Sequence, residues 1–311
     1  MKKRLLQVII GIAIIALILH RLGPYAVYEV FTRIDLSYFI IAAAAYLTYD
    51  ILMAVRLSYL LKVISNHDIP FQEIFSAHIG GMIASDVTPA RSGYFLTPVF
   101  LRRKDENLTL IEGMAAILAP QGIEFILKVA GSLLGAFLLI TTLKNVITTP
   151  LLFAGAIFLV LGGLTLLILW SGEESSLKIL SKIPVMKRFV DEFARLKEES
   201  IKIRSEVPFI LLLYMICWVL VALQWMFIGK SLGFNLSFPI YFLLHPLLSI
   251  LAFVPITPAG LGVMESGMIG VLYLFGIDPA MGFAFSLLVR ANTIAVDLIG
   301  IREVTLYLRP R

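Results

Sequence analysis

The sequence predicts an all-α polytopic membrane protein with about six full transmembrane helices and two oppositely oriented re-entrant helical hairpins, arranged as an inverted-topology internal repeat. Composition is the first reason: the 311 residues are 59% hydrophobic and only 15% charged, whereas soluble domains are about 45–50% apolar and about 25% charged. Second, the apolar runs are continuous rather than alternating, which is the helical pattern and not the barrel pattern. Third, one short motif occurs twice in the sequence, and its two copies align without a gap 169 residues apart.

The full crossings are predicted from runs that approach or exceed the length of a membrane span, about 20 residues. The charged stretch at the N-terminus precedes a run without a small-residue cleavage site, so we expect an uncleaved first helix rather than a signal peptide. The six predicted crossings are residues 5–19, 36–55, 108–140, 151–170, 207–227 and 280–308.

Two pairs of shorter runs predict the hairpins. Residues 71–84 and 94–101 are each too short to cross the membrane alone, and together they predict a helix–break–helix hairpin over 71–101. Residues 238–255 and 261–275 predict a second hairpin over 238–275.

Basic residues predict the topology, because Lys and Arg gather in cytoplasmic loops. This rule places both termini in the cytoplasm of a multi-pass cell-membrane protein, with an outer loop at 21–35, and makes the two hairpins enter from opposite faces. The chain then divides into a first transmembrane half (1–170), a cytoplasmic amphipathic linker (171–205) and a second half (206–311). The linker is expected to be a solvated helix or, as the alternative, a lipid-sensing one.

The repeat is carried by the breaks inside the hairpins. Thr88-Pro89-Ala90-x-x-Gly93 recurs as Thr257-Pro258-Ala259-x-x-Gly262, an offset of 257 − 88 = 169 residues. Inverted repeats of this kind place a binding site near the bilayer midplane, where discontinuous helices meet.

The breaks also predict local geometry. Non-helical backbone in hydrocarbon must be buried in protein or line a wet cavity. We expect each repeated proline in the first turn of a half-helix, each repeated threonine as its cap, and the helix N-termini to face an anionic group. The glycines supply backbone freedom. The predicted break residues are Thr88, Pro89, Gly93, Pro255, Thr257, Pro258, Gly260 and Gly262.

Charged residues inside the apolar runs are the candidate site. A charge at the centre of a membrane helix costs about 2.5–3.5 kcal/mol on insertion scales, so such side chains should face the interior and find partners. One reading is internal pairing that pins helices together, for instance Asp297 with Lys128. The other is that Arg91 and Arg290 bind an anionic ligand, since arginine suits bidentate phosphate binding. The remaining candidates for head-group binding are Asp86, Gln121, Glu124 and Glu265, together with the break glycines Gly93, Gly260 and Gly262.

Several functional classes find no support. The single cysteine, Cys217, excludes a disulfide framework and a cysteine-based metal site, and the four histidines are scattered. We therefore expect no metal and no cofactor. The net charge of +5 serves membrane topology, so we do not expect nucleic acid as a partner.

At these motifs the sequence resembles the lysylphosphatidylglycerol synthase transmembrane family, an uncharacterised bacterial and archaeal membrane family in its stand-alone members. The resemblance rests on Pro89-Ala-Arg91-Ser-Gly93-Tyr94 with Arg102-Arg103, and on the stretch from Pro255 to Glu265. Gln121-Gly-Ile-Glu124 is similar to the family's Arg-x-x-Asp. Tyr94 and Ala259 depart from the Glu and Gly that are common there. The resemblance implies membrane lipid handling of the flippase kind.

The favoured hypothesis is a protein that binds and flips an anionic phospholipid or polyisoprenyl-phosphate lipid between leaflets, without catalysis. One alternative is an intramembrane lipid-modifying enzyme in which Asp86 and Glu265 act as acid and base. Others are a small-solute or ion transporter, or an accessory subunit whose 171–205 helix binds a separate lipid synthase or glycosyltransferase.

Overall fold

The computed structural model describes residues 2–65, 68–142, 160, 163–164, 170, 190–249, 251 and 257–308. Within them the chain is helical, and an isolated bridge is the sole extended pairing, which confirms the all-α class. The helices are α1 (Lys2–Leu22), α2 (Pro24–Thr32), α3 (Leu36–Ser65), α4 (Phe71–Asp86), α5 (Thr97–Lys104), α6 (Leu110–Thr142), α7 (Val190–Lys202), α8 (Val207–Ser231), α9 (Phe238–Ser249), α10 (Val263–Leu274), α11 (Pro279–Asp297) and α12 (Ile301–Leu308).

Four described segments are long and apolar enough to cross a membrane: Leu36–Ser65, Leu110–Gly135, Arg204–Ser231 and Pro279–Leu308. A fifth is obtained if α1 and α2 count as one span. The multi-pass architecture is confirmed. The predicted crossing at 151–170 lies almost wholly outside the described residues, so six crossings and the inverted orientation of the repeat stay predictions.

The predicted outer loop at 21–35 is wrong, because most of it forms α2. The chain turns by 89° between α1 and α2. Gly23 takes a φ of +86°, which glycine adopts without steric cost, and Pro24 then starts α2 at a position where its missing N–H is harmless.

Both predicted hairpins contain two short helices. In the first, α4 is followed by a 3₁₀ turn (Ser92–Leu96) and α5, which packs back against α4 where Gly81 approaches Thr97. In the second, α9 and α10 flank the other break, and each has 12 residues, too few to cross a membrane.

Two apolar cores lie on either side of the molecule's centre, and each contains one hairpin. The first joins α3, α4, α5 and α6 with the N-terminal part of α8. The second joins α9, α10 and α11 with the C-terminal part of α8. Helices α3 and α8 pack along each other and contribute to both cores, so they form the common wall between the two hairpins.

The described part of the predicted linker is a helix that packs on one face and is exposed on the other. Helix α7 lies against α6, Ser200 is fully buried, and the indole N–H of Trp170 donates to the Ser200 carbonyl at 3.0 Å. The Lys202 ammonium donates to the carbonyl of Ile64 at the end of α3. Residues 171–189 lie outside the described residues.

Gly93 holds the first hairpin closed. A Cβ atom on this residue would lie 2.2 Å from the Ala84 carbonyl oxygen and 2.8 Å from the Ser85 nitrogen, which are backbone atoms of α4. We expect Gly93→Ala to lower the free energy of unfolding by about 1–3 kcal/mol, because overpacking forces the backbone apart. The measurement is the melting temperature of the purified protein in mild detergent.

Gly270→Ala is the matched control, since nothing lies within 4 Å of a Cβ placed there. This variant should melt at or slightly above the wild-type temperature, because alanine favours a helix. An unchanged melting temperature for Gly93→Ala would contradict the close approach of the break to α4.

Candidate functional site

The two predicted breaks meet at the centre of the molecule. Pro89 and Pro258 face each other in an isolated antiparallel bridge, and the Ala259 N–H donates to the Thr88 carbonyl at 3.1 Å. The sequence repeat therefore brings its two copies into direct backbone contact.

Both breaks fold in the same local way. The carbonyls of Thr88 and Thr257 each accept a hydrogen bond from the N–H three residues later, and so do those of Pro89 and Pro258. Positive φ values also recur at the offset of 169 residues: Ala90 (+53°) matches Ala259 (+43°), and Arg91 (+54°) matches Gly260 (+68°). A non-glycine residue in this region costs roughly 1–2 kcal/mol, so the surrounding contacts hold both breaks in strained turns.

The predicted roles of the prolines and threonines are wrong. Pro89 and Pro258 lie in the turns, before the 3₁₀ segment and α10, and not in the first turn of a helix. Thr88 closes its own turn instead of capping a helix: its hydroxyl donates to Ala84 and accepts from the Gly93 N–H at 2.7 Å. Thr257 is fully buried, and its hydroxyl has no hydrogen-bond partner in the described part of the chain. The prolines that the sequence analysis assigned to helix N-termini instead form the bridge between the two breaks.

Glu265 caps the second half-helix. Gly262 is the N-cap of α10, with a φ of +84°, and its N–H donates to the Glu265 carboxylate at 2.5 Å. The N-terminus that was expected to face an anionic ligand is therefore already occupied by a carboxylate of the chain itself.

A cavity of about 670 Å³ lies between the two hairpins. It brings together six of the predicted site residues: Asp86, Arg91, Gln121, Glu124, Glu265 and Arg290. The predicted head-group residues Gly93, Gly260 and Gly262 are not among its lining residues, and neither are the break residues Thr88, Pro89, Thr257 and Pro258. Pro255 lies outside the described residues.

The rest of the cavity lining is mainly apolar and aromatic. It includes Tyr46 and Tyr49 from α3, Phe125 from α6, and Trp218 and Trp225 from α8. Trp218 is fixed by a 2.5 Å hydrogen bond from its indole N–H to the Phe242 carbonyl. A few charged groups in an otherwise apolar pocket are typical of a site for an amphipathic ligand.

Each arginine of the cavity is held by a carboxylate. Arg91 Nη2 lies 3.2 Å from Asp86, and Arg91 Nε donates to the Ser85 hydroxyl at 3.2 Å. Arg290 Nε lies 2.7 Å from Glu265, and its Nη2 donates to the Ala259 carbonyl at 3.4 Å. In the part of the chain that the structure describes, Nη1 of both guanidinium groups has no hydrogen-bond partner and can bind a ligand.

The third cation, Lys128, was expected to pair with Asp297, and this expectation is wrong. Lys128 Nζ lies 2.6 Å from Glu124, one turn earlier on α6. Glu124 also accepts from Gln121 at 3.0 Å. Neither carboxylate oxygen of Asp297 has a hydrogen-bond partner within the described ranges.

Sequence reasoning missed three buried residues close to the cavity. Asp50 and His78 are fully buried and lie beside Asp297 and Tyr94. Asp50 interrupts the apolar run 36–55, and this signal alone identifies it as a candidate. Arg56 was interpreted as a topology signal, yet it is 2% exposed and donates to the Tyr214 hydroxyl. Among the described residues, none of the His, Cys, Asp and Glu clusters has a metal-binding arrangement.

Comparison with known proteins gives consistent results. The family model described as the lysylphosphatidylglycerol synthase TM region matches residues 4–300. The chain is 23% identical to a UPF0104 membrane protein of Pyrococcus horikoshii over 310 residues, which cover 93% of this chain and 92% of the relative. A UPF0104 membrane protein of Methanothermobacter thermautotrophicus is 20% identical over 308 residues, covering 93% of this chain and 90% of the relative. No solved structure matches the chain.

Glu265 makes two buried contacts, and removal of its side chain should lower the stability of the fold. Glu265→Ala leaves the Gly262 N–H without its cap and Arg290 without its counter-ion, and breaking a buried pair costs about 3–5 kcal/mol. We expect a large fall in melting temperature or in the yield of folded protein, measured by size-exclusion chromatography in detergent.

Glu112→Ala is the control, because Glu112 makes the same kind of cap with Thr109 at an exposed position. This substitution should cost about 1 kcal/mol. Equal effects of the two substitutions would show that the Arg290–Glu265 pair adds nothing to the stability of the second break.

Proposed function

The chain belongs to the lysylphosphatidylglycerol synthase transmembrane family, and we propose that it binds an anionic phospholipid or a polyisoprenyl-phosphate lipid in the central cavity and moves it between leaflets. The protein acts as a transporter in this proposal and not as an enzyme. Its termini face the cytoplasm of the cell membrane, and a separate lipid synthase or glycosyltransferase supplies or consumes the lipid.

The observation that carries the proposal is the pair of arginines in one largely apolar cavity. Arg91 comes from the first hairpin, and Arg290 is attached to the second hairpin through Glu265 and Ala259. Each presents an Nη1 group that makes no hydrogen bond to the described residues. Guanidinium groups bind phosphate oxygens in a bidentate fashion, and such charge-assisted hydrogen bonds are about twice as strong as neutral ones.

The carboxylates restrict which head groups fit. Each arginine is already neutralised by Asp86 or Glu265, so a phosphate gains less than it would from a free cation. A head group that carries both a phosphate and an amine can contact both members of an ion pair. Its phosphate contacts the arginine, and its ammonium group contacts the carboxylate. The family description names a lipid of this composition, lysylphosphatidylglycerol, and such lipids therefore belong in the first panel to be tested.

Movement of the lipid is supported by the division of the cavity between two cores. Each core contains one hairpin, and the hairpins contact each other through the bridge between the breaks. A small displacement of one core against the other would open the cavity toward one leaflet at a time while leaving the breaks in contact.

An enzymatic role of Asp86 and Glu265 finds less support than the transporter. Each carboxylate is engaged by an arginine, and Glu265 also caps α10. Neither carboxylate can therefore contact a substrate without giving up its ion pair with arginine.

The test is native mass spectrometry of the protein purified in mild detergent and supplied with a mixture of phospholipids and polyisoprenyl phosphate. We expect one phosphate-bearing class to be retained by the wild type, and its affinity to fall about 10- to 100-fold in Arg91→Ala and in Arg290→Ala. The range corresponds to roughly 1.5–3 kcal/mol for a hydrogen bond to a charged group.

Arg33→Ala is the matched control, because Arg33 pairs with Glu29 on an exposed helix surface. Leaflet exchange of the retained lipid in proteoliposomes should be lost in the two cavity variants and unchanged in this control. If all four proteins retain the same lipids in the same ratio, the cavity arginines are structural and the proposal is wrong.

A further inference from the structure

A cluster of ionisable side chains lies beside the cavity and is not used by the lipid site. Asp50 of α3, His78 of α4 and Asp297 at the end of α11 are each 0% exposed. They meet where these three helices pack together. The Asp297 carboxyl group lies next to those of Asp50 and Asp86.

The acceptor atoms in this cluster have no hydrogen-bond donors among the described residues. Among the residues that the structure describes, none donates a hydrogen bond to the four carboxylate oxygens of Asp50 and Asp297 or to the second oxygen of Asp86. His78 Nε2 lies 3.6 Å from Asp50, beyond hydrogen-bonding distance, and is also unpartnered. Buried polar groups are nearly always satisfied, so such a concentration of exceptions requires an explanation.

Protons supply the missing donors. Two adjacent carboxylates removed from water cannot both be ionised, because burial and mutual repulsion both disfavour the charged form. A proton on either carboxyl group converts one acceptor into a donor, and the two groups can then share a hydrogen bond. Asp, Glu and His residues in this setting form the proton relays of membrane pumps and transporters.

The cluster is connected to the cavity on two sides. On one side Asp297 adjoins Asp86, which lines the cavity and holds Arg91. On the other side His78 Nδ1 lies 2.9 Å from the Tyr94 hydroxyl, which also belongs to a cavity-lining residue. A proton can therefore pass between the cavity and the buried carboxylates through neighbouring side chains.

We propose that Asp50, His78 and Asp297 form a proton-binding site that exchanges protons with the central cavity through Asp86 and Tyr94. Binding converts one buried carboxylate into a carboxylic acid, and release returns the proton to water in the cavity. The other titratable or charged groups that face the cluster from the surrounding elements are Tyr46, Tyr49, Asp86, Arg91, Tyr94 and Cys217.

The proton-binding site would couple proton uptake to lipid transport, and this step rests on the proposed function. When Asp297 is ionised, its charge beside Asp86 adds to the negative potential that holds Arg91 in place. When Asp297 takes up a proton, that attraction weakens and Arg91 is freer to bind a phosphate group. Proton uptake and lipid binding would then favour each other.

The first experiment is infrared difference spectroscopy of the purified protein as a function of pH, which detects the carbonyl stretch of a protonated carboxylic acid. We expect this band near neutral pH in the wild type, altered in Asp50→Asn and in Asp297→Asn, and absent from the double variant. Asp68→Asn is the control, since the Asp68 side chain is 90% exposed, and it should retain the wild-type band. A wild-type protein without the band at any pH at which it stays folded overturns the proposal.

A monovalent cation such as sodium is the alternative to a proton as the ligand of this cluster. A measurement on the wild-type protein distinguishes the two. We expect the same melting temperature in sodium chloride and in choline chloride at equal pH and ionic strength. A sodium-dependent rise in melting temperature, with no carboxylic acid band, would overturn the proton site in favour of a sodium site.

Leaflet exchange in proteoliposomes under an imposed pH gradient separates this inference from the proposed function. We expect the rate of lipid exchange to depend on the pH gradient in the wild type and in Asp68→Asn. In the double variant with Asp50→Asn and Asp297→Asn, the rate should be independent of the gradient. Exchange that ignores the gradient in the wild type overturns the coupling and leaves the lipid function intact. The infrared band without any lipid exchange supports the proton site and overturns the lipid function.

Discussion

The hydrogen bond from the Ala259 N–H to the Thr88 carbonyl joins two stretches of non-helical backbone that hydrocarbon would not tolerate separately. Around it, Pro89 and Pro258, neither of which has an N–H to donate, meet in the isolated bridge. The cavity lies beside this contact, and Ala90, Arg91 and Ala259 of the two breaks are among its lining residues.

Charge balance is the second organising feature. The three cations of the cavity each have a carboxylate within 3.2 Å, so the described lining carries its charges as pairs rather than as a positive surface. Pairing lets a largely apolar interior contain arginine and lysine at all, because an isolated buried charge is far more costly. In the proposed lipid site the same pairing would give selectivity, since a ligand would have to bind the arginine at least as well as the carboxylate that it displaces.

Asp86 connects the two functional regions that the structure suggests. One of its oxygens holds Arg91, which lines the cavity, and the other has no hydrogen-bond partner among the described residues; Asp86 also adjoins the buried carboxyl group of Asp297. A change in the charge of Asp297 therefore acts on Arg91 through a single intervening side chain. Coupling of this kind requires no long pathway through the fold, only a shared electrostatic environment of low dielectric constant.

The sequence by itself determined the helical membrane class, the two hairpins, the repeated break and six cavity-lining residues. Hydropathy, proline and glycine positions, and buried charges act locally or at a fixed offset, so they can be read without a fold. The tertiary structure alone decided how these parts meet: the Pro89–Pro258 bridge replaced the expected helix starts, and Lys128 paired with Glu124 rather than Asp297. Asp50 and His78 became a site only when α3, α4 and α11 packed together, because partners and burial depend on residues distant in the chain.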